Sequence, residues 1–326
     1  MEASNSNTFI NAILAKRYKI ISQLDSGASS QVFKVLDEKT GEIKVAKIFN
    51  DDERTLFRKE TKIYEIINRL NLPTNIKFYE SSIDDLLIND NISKKIYIIL
   101  EYGSKGSFFN ALFRTKNGFT EDLCKYILLN ILNAVDALHN EGICHRDIKL
   151  ENIVFVGDDY DIKLIDFGLS AKFLDDNNQK IKLKKCYGTR YYCAPEIIER
   201  KSYDGTKVDI FSIGAMLFIL MTKKFGFVEA KIQKDIENVK HLLYILIKEK
   251  EYDRYWELMA KYYNINNLSP KFKNLFLKMV AYNPEERPSI EEIRKDEFMA
   301  DIVNASEEYI DSLREKMINE IENIQN

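Results

Sequence analysis

The chain has 326 residues, enough to bury a substantial core in one large domain or two lobes. Its 51 acidic residues nearly balance 48 basic ones, which excludes a global field directed at nucleic acid or a membrane surface. Residues 1–20 lack a basic and apolar leader pattern, and position 2 is Glu2 instead of the glycine that myristoylation needs. No uninterrupted apolar run approaches the roughly eighteen residues of a membrane span. Cys124, Cys144, Cys186 and Cys193 form no CxxC pair and show no metal-ligand spacing, as expected of reduced thiols. The expectation is a soluble, cytoplasmic protein with neither nucleic acid nor membrane among its partners.

In chain order, residues 1–17 are polar, with one apolar patch from Phe9 to Leu14, and predict a loosely attached N-terminal extension. Alternation from Tyr18 to Phe49, broken by turn signals at Asp25–Gly27 and Asp37–Gly41, predicts three antiparallel strands. Residues 52–70 switch to helical spacing through Leu56, Ile63, Ile66, Ile67 and Leu70. Two further strand-like runs end at Ile96–Leu100. After Gly103 the character changes. Residues 120–140 predict a long amphipathic helix, short strands flank 145–165, and helical patterns dominate from 207 onward. A small sheet-rich part followed by a larger helical part predicts an α+β architecture of two lobes, with a cleft suited to a nucleotide. At the C-terminus, Ile310, Leu313, Met317, Ile321 and Ile324 share one helical face. Packing on the helical lobe is the first expectation for this tail, and a partner-binding or autoinhibitory helix is the alternative. The aromatic-rich stretch 244–263 around Trp256 looks like an enlarged helical insertion.

The most informative segment is His145-Arg-Asp-Ile-Lys-Leu-Glu-Asn152, followed nineteen residues after Asp147 by Asp166-Phe-Gly168. Phosphoryl transfer needs a carboxylate beside the attacking hydroxyl and oxygen ligands for magnesium. Asp147 can supply the first, and Asn152 with Asp166 the second. The pattern resembles the catalytic loop and metal-binding motif of the eukaryotic-type serine/threonine protein kinases. Val45-Ala-Lys47 on a predicted strand matches the family's phosphate-contacting lysine. Glu60 is its best ion-pair candidate, with Glu53 and Glu65 as alternatives. Gly188-Thr-Arg-Tyr-Tyr-Cys-Ala-Pro-Glu196 resembles the substrate-docking loop, Asp209-Ile-Phe-Ser-Ile-Gly214 the start of the central helix, and Arg287 the ion-pair partner of Glu196.

The resemblance covers about residues 18–298 and implies the bilobal kinase fold. That fold has a small antiparallel-sheet N-lobe with one main helix (about 18–102), a larger helical C-lobe (about 103–298), and here a helical tail (299–326). It implies ATP and Mg2+ as cofactors, Ser/Thr-bearing proteins as substrates, and a regulatory partner if one meets the C-terminal helix. Catalytic roles fall on Lys47, Glu60, Asp147, Lys149, Asn152 and Asp166, the last two also binding metal. Nucleotide contacts fall on Leu24, Gly27, Val32, Val45, Lys47, the gatekeeper Leu100, Glu101, Tyr102 and Val154. Lys149 and Thr189 match the serine/threonine pattern, and Tyr191-Tyr192 is most similar to the calcium/calmodulin-dependent-like branch.

Four departures bear on function. The glycine loop reads Asp25-Ser-Gly27-Ala-Ser-Ser30-Gln-Val32, so only its middle glycine survives. This predicts weakened or altered ATP binding, and the alternative reading is a pseudokinase scaffold. Val45 replaces the family's usual alanine and narrows the adenine slot. Glu151 is suited to a basic substrate residue, but Ser107 stands where a second glutamate supports that preference. Fourth, Lys172 to Gly188 contains no serine or threonine, and Lys185 falls at the usual phosphosite. Activity is therefore expected without Ser/Thr phosphorylation there, with Asp175 or Asp176 as substitute anions for Arg146. Tyr187 is expected to face the core, and redox sensitivity of Cys186 or Cys193 is a minor alternative.

Overall fold

The computed structural model of the chain describes residues 9–71, 73–89, 91–175, 177–226 and 237–322. The chain divides into two compact units, with the boundary between Ser104 and Lys105.

The first unit is a sheet wrapped by one helix. Its strands are β1 (Ile13–Leu14), β2 (Tyr18–Ser26), β3 (Ser30–Asp37), β4 (Ile43–Phe49), β5 (Phe78–Ile88) and β6 (Asn91–Glu101), and its helix is α1 (Arg54–Leu70). Alternation sorts each strand's side chains between two faces. Tyr18, Ile20, Phe33, Val35, Ala46, Ile48, Leu86, Tyr97 and Ile99 form one buried core. On α1, Glu60, Ile63, Tyr64 and Ile67 follow the i, i+3, i+4, i+7 rule and are buried together.

The N-terminal segment departs from expectation. Residues 9–14 are not a loose extension, because Ile13 pairs with Lys19 of β2 and with Leu87 of β5. This short strand closes the sheet into a barrel in the order β1-β2-β3-β4-β6-β5. Ala12 and Leu14 enter the barrel core, and Phe9 packs against it. The apolar patch is there to be buried. Full burial of Leu14 alone is worth about 1.5–3 kcal/mol. Next to it, buried Asp37 accepts from Arg17 Nε at 2.8 Å and from Lys44 Nζ at 2.7 Å, which ties the β1–β2 turn to β3 and β4.

The second unit is mainly helical. Two small sheets carry its loops: β7 (Gly106–Ser107), β9 (Ile153–Val156) and β10 (Asp161–Leu164) form one, and β8 (Ile143–Cys144) with β11 (Ala171–Lys172) the other. The helices are α2 (Phe108–Arg114), α3 (Glu121–Asn140), α4 (Pro195–Ile198), α5 (Gly205–Thr222), α6 (Glu237–Lys248), α7 (Tyr252–Tyr263), α8 (Pro270–Met279), α9 (Ile290–Arg294), α10 (Ala300–Val303) and α11 (Glu307–Glu322). By length and composition α5 could cross a membrane, yet 78% of it is buried inside the fold, as befits a core helix. A Cβ at Gly214 would stand 2.8 Å from the Met279 side chain, so glycine lets α5 and α8 close on each other.

The stretch 244–263 packs into this core. Tyr255 and Met259 of α7 are buried, and Trp256 meets Phe218 of α5 and Phe276 of α8. Along α11, Leu313, Met317 and Ile321 are buried at four-residue spacing, and this helix packs on α3 and α2. Three residues of the expected apolar face are thus buried within the fold, Ile310 is half-buried, and Ile324 lies outside the described residues.

Candidate active site

In the first unit, strand parity orients the residues expected to meet the nucleotide. In β4, Ala46 and Ile48 point into the barrel, so Val45 and Lys47 point outward. In register with them stand Val32, opposite Lys47, and Leu100, opposite Val45. Lys47 Nζ reaches Glu60 Oε1 at 2.7 Å, with Glu60 only 2% exposed. Glu53 instead stands at the position just before α1, with no capping bond from its side chain, and Glu65 is exposed. The helical face that buries Ile63 and Tyr64 is what turns Glu60 inward.

The glycine loop is the β2–β3 turn, closed by Gly27 N donating to Ser30 O at 2.9 Å. Asp25 is exposed and its Oδ1 accepts from Ser26 N at 2.7 Å, so the carboxylate serves the turn's own backbone. Leu24, at a register shift between Gln23 and Asp25, is exposed. A Cβ on Gly27 would meet nothing of the protein nearer than Ser30 O at 3.7 Å. The fold itself does not demand glycine there, and the open space suits a phosphate. At the far end of β6, the Glu101 N–H donates to Lys77 O at 2.9 Å, so its expected contact with an adenine edge would be made through its carbonyl. The Tyr102 ring carries Lys34 Nζ 4.8 Å from its centre.

In the second unit, Asp209 organises the catalytic loop. Fully buried at the start of α5, its carboxylate accepts from His145 N at 2.8 Å and Arg146 N at 2.7 Å, and lies 2.8 Å from His139 Nε2. These bonds hold Arg146 at φ 68°, a left-handed conformation that a bulky residue adopts only when its surroundings impose it. The next residue, Asp147, is then surrounded by donors. Lys149 Nζ reaches Oδ2 at 2.7 Å, Thr189 Oγ1 donates to Oδ1 at 2.8 Å, and Lys149 Nζ also reaches Thr189 Oγ1 at 2.9 Å. The Ser/Thr-type pair Lys149 and Thr189 thus meets on the same carboxylate.

Asn152 Nδ2 donates to Asp147 O at 2.9 Å and to Oδ2 at 3.2 Å, which leaves the amide oxygen as the acceptor end. Ile165 N donates to Asn152 O at 2.9 Å, setting Asp166 beside it, and Asp166 also sits at positive φ (61°). Asn152 and Asp166 offer two hard oxygen donors of the kind magnesium takes. Among the described residues no group of three or more His, Cys, Asp or Glu side chains could hold a metal alone. The pair therefore fits a magnesium ion completed by phosphate oxygens and water. Val154, the last expected nucleotide contact, is 9% exposed on β9.

The docking loop is anchored by Glu196, whose two oxygens accept from Arg287 Nη1 at 2.7 Å and Nη2 at 2.8 Å. Tyr192 OH donates to Glu151 Oε2 at 3.3 Å, so the expected selector of a basic substrate residue is already engaged within the protein. Ser107 caps α2 by accepting from Asn110 N. Asp175 does not face Arg146. It accepts from Asn177 N and Gln179 N, both at 2.9 Å, and closes its own turn; Asp176 lies outside the described residues. Tyr187 is half-buried and does not join the core, its ring centre lying 5.0 Å from the Arg146 guanidinium. Burial, reinforced by Asp147, pushes the Cys193 thiol up to about 11, which disfavours the reactive thiolate.

Residues 18–299 match the family model described as protein kinase domain. CBL-interacting serine/threonine-protein kinase 15 of Arabidopsis thaliana is 29% identical over 87% of this chain and 61% of its own length. CBL-interacting protein kinase 11 of Oryza sativa subsp. japonica is 32% identical over 64% of this chain and 40% of its own. The SNF-related serine/threonine-protein kinase of Homo sapiens is 33% identical over 61% of this chain and 23% of its own. The chain thus spans less than two thirds of the length of each of these curated relatives.

Proposed function

The chain belongs to the protein kinase family, and on that premise we propose that it is an active serine/threonine kinase, transferring the γ-phosphoryl group of MgATP to protein hydroxyls. The observation that carries this reading is the convergence of Lys149 and Thr189 on Asp147. A carboxylate held this way is placed to receive a proton, with a cation beside it to offset charge on the transferring group.

Asp147 accepts the acceptor hydroxyl's proton while that oxygen bonds to the γ-phosphorus and the β–γ bridging oxygen departs with ADP. Lys149 stays between Asp147 and Thr189 and neutralises charge on the oxygens in transit. Lys47, aligned by Glu60, holds the α- and β-phosphates, and Gly27 leaves room for them. Asn152 and Asp166 would hold magnesium, whose charge offsets that of the phosphates. Catalysis is then positioning plus electrostatic stabilisation.

Ser/Thr-bearing proteins are the proposed substrates, and the four free thiols support a cytoplasmic setting. A regulatory partner at α11 would meet its polar outer side, since the apolar face is already buried. The test is labelled-phosphate transfer to a mixture of generic protein substrates, with Asp166→Ala as control. Phosphoserine or phosphothreonine from the wild type, lost in the control, supports the proposal. Thermal stabilisation by MgATP without transfer would replace it with a nucleotide-binding scaffold.

A further inference from the structure

Arg146 carries a charge that the transfer chemistry above does not use. It is 4% exposed, and among the described residues no carboxylate pairs with its guanidinium. Its partners are neutral: Nε donates to Leu169 O at 2.7 Å, Nη1 donates to Tyr203 OH at 2.9 Å, and the Tyr187 ring lies beneath it. Tyr203 passes the bond on, since its hydroxyl donates to Lys185 O at 2.6 Å. The same residue grips the segment with its backbone. Leu183 N donates to Tyr203 O at 2.8 Å, and Tyr203 N to Leu183 O at 2.9 Å. Lys180 Nζ adds a 3.5 Å contact to Asp204.

Tyr203 therefore joins three things: the arginine preceding Asp147, the backbone of residue 185, and the backbone of residue 183. Burial pushes the phenol's pKa up, which keeps the hydroxyl protonated and able to donate to Lys185 while accepting from Arg146. A buried guanidinium needs its donors satisfied, and here a carbonyl and a tyrosine hydroxyl, neither an anion, take two of its five N–H groups. The link from Tyr203 to Arg146 spans 57 positions, and no repeat or spacing in the sequence announces it.

We propose that Tyr203 fastens the activation segment to Arg146 in place of a phosphorylated residue, so that the segment is set for catalysis with residues 172–188 unmodified. Tyr203 is a positioning residue, acting through Arg146 and the backbone of 183–185. The inference rests on the kinase reading for its catalytic consequence, but the fastening has a readout of its own.

The test compares the wild type, Tyr203→Phe, Lys185→Glu and the double variant. Each is assayed for kcat and for KM of ATP, with and without phosphatase treatment. Each is also tested for trypsin cleavage after Lys184, which is exposed on the segment, and for Tm. The ring is kept in Tyr203→Phe, so its Tm should fall only by the several degrees that one lost hydrogen bond to a charged group costs. Its kcat should fall roughly tenfold, the scale set by one lost hydrogen bond to a charged group, and cleavage should accelerate by a similar factor. KM for ATP should stay within about twofold, since the Tyr203 hydroxyl bonds none of the residues expected to meet the nucleotide. An anion placed at 185 lies next to the bond that was lost, so Lys185→Glu should restore kcat and protection in the Tyr203→Phe background.

Phosphatase should leave the wild type fully active. Loss of wild-type activity on phosphatase treatment, with the site mapped to 172–188, would overturn the inference. So would a Tyr203→Phe protein with unchanged kcat and cleavage, or a defect that Lys185→Glu does not repair. A wild type that transfers no phosphate would end the kinase reading alone. Faster cleavage of Tyr203→Phe at Lys184 would still uphold the fastening.

Discussion

Glu196→Gln is the perturbation whose cost the structure sets most completely. Arg287 has five N–H donors, and each meets an acceptor. Nε donates to Ala281 O, Nη1 to Glu196 Oε1 and Lys207 O, and Nη2 to Glu196 Oε2 and Tyr282 O. The side chain is 0% exposed, and its guanidinium lies 5.0 Å from the Phe211 ring centre. Glutamine keeps one acceptor but aims an N–H2 at a donor and removes the counter-charge. Leaving a buried cation unpaired costs about 3–5 kcal/mol. At about 2–4 °C per kcal/mol for a unit of this size, Tm should fall by roughly 6–20 °C. Urea unfolding followed by circular dichroism, alongside calorimetry, measures this. The double change Glu196→Leu with Arg287→Met should recover much of the loss, because an apolar pair needs no desolvated charge. A single-variant cost below about 1 kcal/mol, or a double variant worse than the sum of its parts, would refute the reasoning.

Other predictions follow from the barrel and the glycine loop. The hydrogen bond from Arg17, joined by Lys44, holds the Asp37 carboxylate well below its usual range. A depressed carboxylate stabilises the fold above its unfolded pKa of about 3.9 and loses that stabilisation as pH falls towards the folded value. Asp37→Asn should cost roughly 3–5 kcal/mol at neutral pH and flatten the acid limb of the stability profile, as urea melts from pH 6 to pH 2 would report. Leu14→Ala should destabilise the first unit by about 2–5 kcal/mol, measurable by denaturant titration, whereas a loose extension would cost nothing. Gly27→Ala should leave Tm unchanged, since the fold has room for the methyl. It should raise KM for ATP by roughly tenfold, equivalent to about 1.4 kcal/mol of lost contact.

The parts of the site that were legible in the sequence are those whose chemistry lies within one loop or one periodic element. Asp147, Lys149 and Asn152 sit in one run, and the fold brings them onto shared hydrogen bonds. Lys47 and Glu60 were found because a strand's period and a helix's period each fix a direction. Even so, the choice among Glu53, Glu60 and Glu65 needed the helix's actual phase. What could not be read depends on pairings between distant segments. β1 is only two residues long and acquires meaning from Leu86 and Leu87, more than seventy positions away. The Glu101 N–H is committed to Lys77 by a bulged register that no local pattern encodes. Tyr203 looks like an ordinary aromatic before an Asp-Gly turn until Arg146 and Lys185 arrive beside it. Asp175, chosen for its charge, turned out to serve its own turn.

The central claim is that Asp147, held by Lys149 and Thr189, performs general-base phosphoryl transfer. Its most direct test is single-turnover transfer from labelled MgATP to a serine-bearing protein by wild type and Asp147→Asn, with nucleotide affinity measured in parallel. The account predicts a rate lower by about 10²–10⁴ in the variant with little change in nucleotide Kd. An undiminished rate in Asp147→Asn would contradict it.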